Sequence, residues 1–133
     1  MKECLFCKLM TEKNVNNGKK TNEYILENEL ALGRYDDFPV SKGHMEFVTK
    51  RHIATIFDAT AEEKTAIFEL IDKAKIMIDK EYHPDGYNIG INCGESAGQT
   101  IMHLHVHLIP RYNGDVKNPR GGVRGIIPEK QNY

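Results

Sequence analysis

Between Gln99 and Pro110 the chain reads Gln-Thr-Ile-Met-His-Leu-His-Val-His-Leu-Ile-Pro. Three histidines alternate with apolar residues at a strict period of two. That is the repeat of a β-strand, where successive side chains point to opposite faces. The pattern predicts a strand from Ile101 to Ile109. Leu104, Val106 and Leu108 then bury one face, and His103, His105 and His107 share the other. Three of the six histidines in the chain thus line one side of a rigid element. Alternate residues stand about 6.6 Å apart, so the outer two are about 13 Å apart. One metal ion needs each nitrogen at about 2.0–2.1 Å and cannot take all three. A neighbouring pair can chelate, or one can join ligands from elsewhere. The others are then left for acid, base or nucleophilic work near neutral pH.

The flanking sequence predicts the scaffold. Tyr24–Leu26 and Leu30–Tyr35 read as two short strands joined by a turn at Asn28-Glu29, and His44–Thr49 as a third. Residues 11–22, with Asn14, Asn16, Asn17 and Gly18, read as a loop. Thr60 and Glu63 have capping-box spacing. Ile67, Leu70, Ile71, Ala74, Met77 and Ile78 follow at helical intervals. A helix is predicted from about Ala61 to Glu81, stopping before His83-Pro84, with His83 at its C-terminus. Tyr87–Asn92 reads as a fourth strand. Strands ahead of one long helix, then two more, argue for an α+β antiparallel sheet.

At 133 residues the chain is read as one domain, with a C-terminal tail over about 111–133. A net charge of −1 gives no electrostatic case for nucleic acid or a membrane. No apolar run approaches the roughly 18 residues of a membrane span. Three cysteines, an odd number, argue against a disulfide framework and fit a reducing, cytoplasmic setting.

Other residues carry chemistry with open alternatives. Cys4-x-x-Cys7 has zinc-ligand spacing but needs two more ligands; both cysteines also suit an apolar environment beside Leu5 and Phe6. The loop Gly94 to Gly98 lets backbone approach phosphate closely, and Gln99 and Thr100 follow it with side-chain donors. Asn92 is a turn former or a polar contact. Asp36 and Asp37 are adjacent carboxylates that can cap a turn. Cys93 reads as structural, and Arg111, Arg120 and Arg124 as solvated charges.

His-Leu-His-Val-His-Leu-Ile resembles the His-x-His-x-His-x-x signature of the histidine triad family, where x is apolar. Cys4 to Lys8, Asp36 to His44, Asn92 to Thr100, and Asn118 to Lys130 resemble that family's opening, nucleotide loop, phosphate loop and bacterial-type tail. The resemblance implies an α+β fold with about five antiparallel strands, one long helix and a short N-terminal helix, assembled as a homodimer. It implies a nucleotide hydrolase acting on a nucleoside phosphoramidate or a dinucleoside polyphosphate. His105 attacks the α-phosphorus, and water then cleaves the nucleotidyl-histidine to release a nucleoside monophosphate. The His103 carbonyl fixes the His105 tautomer. His107 contacts phosphate, and His44 backs the network. Gln99 and Thr100 supply donors, with Asn92 near the phosphates. Asp36 binds ribose, and Phe6 and Leu26 flank a purine base. No organic cofactor is implied. Members carrying the Cys pair imply a structural zinc on Cys4, Cys7, His52 and His103. A nucleotide sensor, a nucleotidyltransferase and a hydrolase using zinc-bound water are the competing readings.

Overall fold

The computed structural model describes residues 4–11 and 24–133. The loop predicted over residues 11–22 lies outside them, apart from Thr11. The elements run α1 (Leu5–Thr11), β1 (Tyr24–Glu27), β2 (Ala31–Tyr35), β3 (Met45–Thr49), α2 (Ala61–Tyr82), β4 (Gly86–Ile91) and β5 (His105–Arg111). The five strands form one antiparallel sheet in the order β1-β2-β3-β5-β4. Two short 3-10 turns, Gly122–Ile126 and Pro128–Lys130, lie in the tail.

The α2 boundaries follow local chemistry. The Thr60 side chain accepts from the Glu63 N–H, and the Glu63 carboxylate accepts from the Thr60 N–H, closing the capping box. At the other end His83 turns left-handed at φ 53° ahead of Pro84, and the helix stops. Ala66, Ile67, Leu70, Ile71, Ala74 and Ile78 bury one stripe of α2 against Met45, Phe47, Val106 and Leu108 of the sheet. The turn at Asn28 is held by its side chain, which accepts from the Leu30 and Ala31 N–H groups and donates to the Ala66 carbonyl. That last bond ties the β1–β2 turn to α2.

β5 is shorter than the alternation suggests. It begins at His105, not Ile101: the β3–β5 ladder ends at the pair Val48–His105, although β3 itself runs on to Thr49. The chain before it leaves the ladder: the Leu104 N–H donates to the Ile53 carbonyl at 2.7 Å. Leu104, Val106 and Leu108 are nevertheless all buried in the core facing α2. The sheet's other face carries His105 and His107 and a second apolar cluster of Phe6, Leu32 and Val48. Among the described residues, no helix is long and apolar enough to cross a membrane.

Gly33 faces Phe47 directly across the β2–β3 ladder. A Cβ built on Gly33 would stand 2.8 Å from the Phe47 ring, closer than van der Waals contact allows. We expect Gly33→Ala to destabilise the fold by about 1–3 kcal/mol in chemical denaturation. Adding Phe47→Leu should recover part of that loss; a neutral Gly33→Ala would contradict the packing.

Candidate active site

The histidine face is built as cross-strand rows. Val48 on β3 pairs with His105, and Glu46 with His107. Gly90 on β4 flanks His107 on its other side with no side chain to cover it. The His105 Nδ1–H donates to the backbone carbonyl of His103 at 2.8 Å. The proton is thereby held on Nδ1, and the Nε2 lone pair is left free. The Phe6 ring of α1 packs on His105 at 5.1 Å and on His103 at 5.7 Å, between ring centroids.

A second tautomer chain ends at His107. The Val40 N–H donates to His44 Nδ1 at 3.2 Å, so His44 carries its proton on Nε2. That proton points to His107 Nδ1 at 3.0 Å, leaving His107 with an Nε2–H donor. The Asp36 carboxylate lies 3.5 Å from His44 Nε2 and 3.7 Å from His107 Nδ1. Its other oxygen accepts from the Phe38 N–H at 2.8 Å. Burial, then the neighbouring rings of His105 and His44, lower His107 to about 4, against the opposing pull of Asp36. Burial also lowers His44, again opposed by Asp36. Both rings are therefore neutral near pH 7.

His103 is displaced from the row. Its side chain is fully buried and turns away to meet Cys4, Cys7 and His52. The ring Nε2–H donates to the Thr49 carbonyl at 2.7 Å, which leaves Nδ1 as a lone pair. This Nδ1 stands 3.4 Å from Cys4 Sγ, 3.6 Å from Cys7 Sγ and 3.1 Å from His52 Nδ1; Cys7 Sγ and His52 Nδ1 are 3.3 Å apart. A tetrahedral zinc with bonds of about 2.3 Å to sulfur and 2.0–2.1 Å to nitrogen has S–N edges of about 3.6 Å and N–N edges of about 3.3 Å. The four ligand atoms, all within 4.8 Å of one another, match that figure closely. Burial and the adjacent Cys4 sulfur raise the Cys7 thiol above its ordinary value; a bound cation reverses that penalty. The donor set fits zinc.

The loop before β5 is shaped by Gln99, which is 3% exposed. Its amide nitrogen donates to the Ala54 and Ile101 carbonyls, and its oxygen accepts from the Gly94 N–H. Both amide hydrogens are committed, so Gln99 braces the loop instead of presenting a donor to phosphate. Gly94 and Gly98 both take φ near 92°, the left-handed region that glycine tolerates. Asn92 and Thr100 are exposed beside this loop. Leu26, expected at the base, is on the wrong face: a bulge between Tyr24 and Leu26 shifts the β1 register, and Leu26 packs into the α2 core. Tyr24 takes the histidine face instead, its hydroxyl donating to the Phe6 carbonyl. Arg111 pairs with Asp115, and Arg120 and Arg124 stack over the Tyr133 ring.

Sequence reasoning passed over Arg34 and Glu46. Both lie in segments read simply as strands, yet their side chains meet on the histidine face at 2.7 Å. The available signal was a charged residue at matching positions of two otherwise apolar strands.

Comparison with known proteins agrees with this architecture. The HIT domain model matches residues 17–114. Protein hit of Bacillus subtilis is 35% identical over 109 residues, covering 82% of this chain and 71% of that one. A bis(5'-adenosyl)-triphosphatase of Dictyostelium discoideum is 30% identical over 99 residues, 74% of this chain and 66% of that one. Among solved structures, a HIT family protein from Bacillus anthracis superposes with TM-score 0.74 at 37% identity, covering 86% of this chain and 77% of that one. A zinc-bound histidine triad protein from Mycobacterium smegmatis gives 0.73 at 31%, covering 87% and 80%. The chain belongs to the histidine triad (HIT) family.

The neutral His44–His107 pair has a titration consequence. Folding depresses the His107 value, so its contribution to stability is present above the ordinary 6.5 and is lost as pH falls through about 4. NMR titration of the ring should place the His107 midpoint near 4; a midpoint near 6.5 would contradict the packed, neutral pair.

Proposed function

We propose that this protein is a nucleotide hydrolase that cleaves at the α-phosphate of a nucleoside phosphoramidate or dinucleoside polyphosphate through a covalent intermediate on His105. The observation that carries this reading is the 2.8 Å bond from His105 Nδ1–H to the His103 carbonyl, which aims an unprotonated Nε2 away from the backbone. Nε2 attacks the α-phosphorus and forms a P–N bond while the bond to the leaving group breaks. The leaving group departs with the bonding pair. The His107 Nε2–H stands beside the nucleophile, at 5.2 Å between ring centroids, as donor to the phosphoryl oxygens or the departing atom. Water then takes the nucleotidyl group, releasing a nucleoside monophosphate and restoring the neutral ring.

Asp36 is assigned to the ribose hydroxyls, the Gly94–Gly98 loop with Asn92 and Thr100 to the phosphates, and Phe6 to one side of a purine base. Cys4, Cys7, His52 and His103 are assigned to a structural zinc, which would cross-link the N-terminal helix to the residue that orients His105. A homodimer in the cytoplasm is the assembly expected of such an enzyme.

The test is hydrolysis of an adenosine phosphoramidate and of diadenosine polyphosphates by the wild type and by His105→Ala. The variant should lose about 10³-fold or more in kcat/KM while still binding nucleotide, and the relative wild-type rates name the leaving group. Two inert proteins that bind nucleotide equally would replace the hydrolase with a sensor.

Zinc is checked separately. Purified protein should carry zinc equimolar with chain, and Cys4→Ser with Cys7→Ser should remove it and lower the Tm. Hydrolysis by the still-folded fraction should persist, because no reacting atom is assigned to the metal. Metal-free protein with an unchanged Tm would refute the assignment.

A further inference from the structure

Gln99 has no part in the chemistry above, yet only 3% of it is exposed. A side-chain amide buried that deeply needs its donors and its acceptor met. The stretch it begins, residues 99–104, lies outside the sheet: neither β3 nor β4 pairs with any residue before His105. That stretch carries the His103 carbonyl, the acceptor of the His105 Nδ1–H. Without ladder bonds, other groups must hold its backbone. One tie is the Leu104 N–H, which donates to the Ile53 carbonyl at 2.7 Å. Ile53 is buried in the main core, so this anchor is fixed. A second tie of the same kind is impossible between Ala54 and Ile101. Both present carbonyls, and two acceptors cannot pair. The Gln99 Nε2 bridges them, donating to the Ala54 carbonyl at 2.7 Å and to the Ile101 carbonyl at 3.0 Å. Its Oε1 accepts from the Gly94 N–H at 2.8 Å, and its backbone N–H donates to the Gly94 carbonyl at 3.1 Å.

We propose that Gln99 is a positioning residue: its side-chain amide replaces the missing ladder bonds, and so holds the chain that leads to the His103 carbonyl and fixes the His105 proton on Nδ1. It touches no reacting atom and acts through backbone alone. A primary amide offers two N–H donors and one carbonyl, and here each meets a different segment: Ala54, Ile101 and Gly94. The bridge from Ile101 to Ala54 lies beside the bond from Leu104 to Ile53, so residues 101–104 are fastened at two successive carbonyls of one buried segment. The His103 ring adds a third tie through its bond to the Thr49 carbonyl. The grip on Gly94 places the loop assigned to phosphate in the same frame as His105. The inference deepens the hydrolase reading, and its kinetic consequence rests on that reading. The placing of the His105 proton does not.

Gln99→Met tests the idea, since it keeps the length of the side chain and removes all three bonds. The ring tautomers are read by 15N NMR above the ordinary histidine range, with wild type and variant at the same metal content. His105 should carry its proton on Nδ1 in the wild type and show mixed tautomers in Gln99→Met, while His44 and His107 stay as they are. In turnover of an adenosine phosphoramidate, kcat should fall about 10–100-fold with KM changed less than about threefold. A variant with a lower Tm but an unchanged His105 tautomer overturns the proposal. So does a raised KM at unchanged kcat, which would make Gln99 a substrate contact. Should Gln99→Met fail to fold, the wild type decides. Hydrogen exchange of the Gln99 side-chain amide and of the Leu104 N–H should then proceed through one opening with the same dependence on denaturant; a Gln99 amide that exchanges freely while Leu104 stays protected overturns the proposal. Neither NMR measurement needs substrate. If both come out as expected in a protein that hydrolyses no nucleotide, the hydrolase reading fails and the role of Gln99 stands.

Discussion

The site depends on how His103 is held. Its carbonyl accepts the His105 Nδ1–H, its ring donates to Thr49, and its remaining lone pair faces Cys4, Cys7 and His52. One buried residue therefore links His105, the edge of β3 and the N-terminal helix. If its backbone shifted, the His105 Nδ1 proton would lose its acceptor and the Nε2 lone pair its orientation.

Burial disfavours positive charge on three of the rings near this face. Burial lowers His44, His103 and His107, so these rings present lone pairs and single N–H donors, not imidazolium ions. The tautomers are set by fixed backbone groups: the Val40 N–H, the Thr49 carbonyl and the His103 carbonyl. Each is held by the sheet or its connecting loops, so the proton pattern is part of the fold.

Much of this was legible in the sequence. The alternation at Leu104, Val106 and Leu108 identified a buried strand face, and Thr60 with Glu63 located the start of α2 within a residue. The helix stripe followed from period, and the antiparallel α+β sheet from the succession of elements. What was not legible depends on pairing. The start of β5 is set by where the β3–β5 ladder ends, and the displacement of Leu26 by a bulge in β1; neither leaves a local mark. Gln99 reads as a donor in sequence, yet its partners Ala54 and Ile101 come from backbone that only the folded chain brings near. Arg34 and Glu46 were visible as charges in apolar strands, but register alone reveals that they meet beside His107.

The central claim is that His105 becomes covalently bound to the nucleotide. The most direct measurement is intact-mass analysis of protein rapidly quenched during turnover of an adenosine phosphoramidate, followed by peptide mapping under conditions that preserve P–N bonds. The account predicts a transient mass increase of one adenylyl group on the peptide carrying His105, absent from His105→Ala. Turnover in the wild type with no adduct at any quench time, or an adduct on another residue, would contradict it.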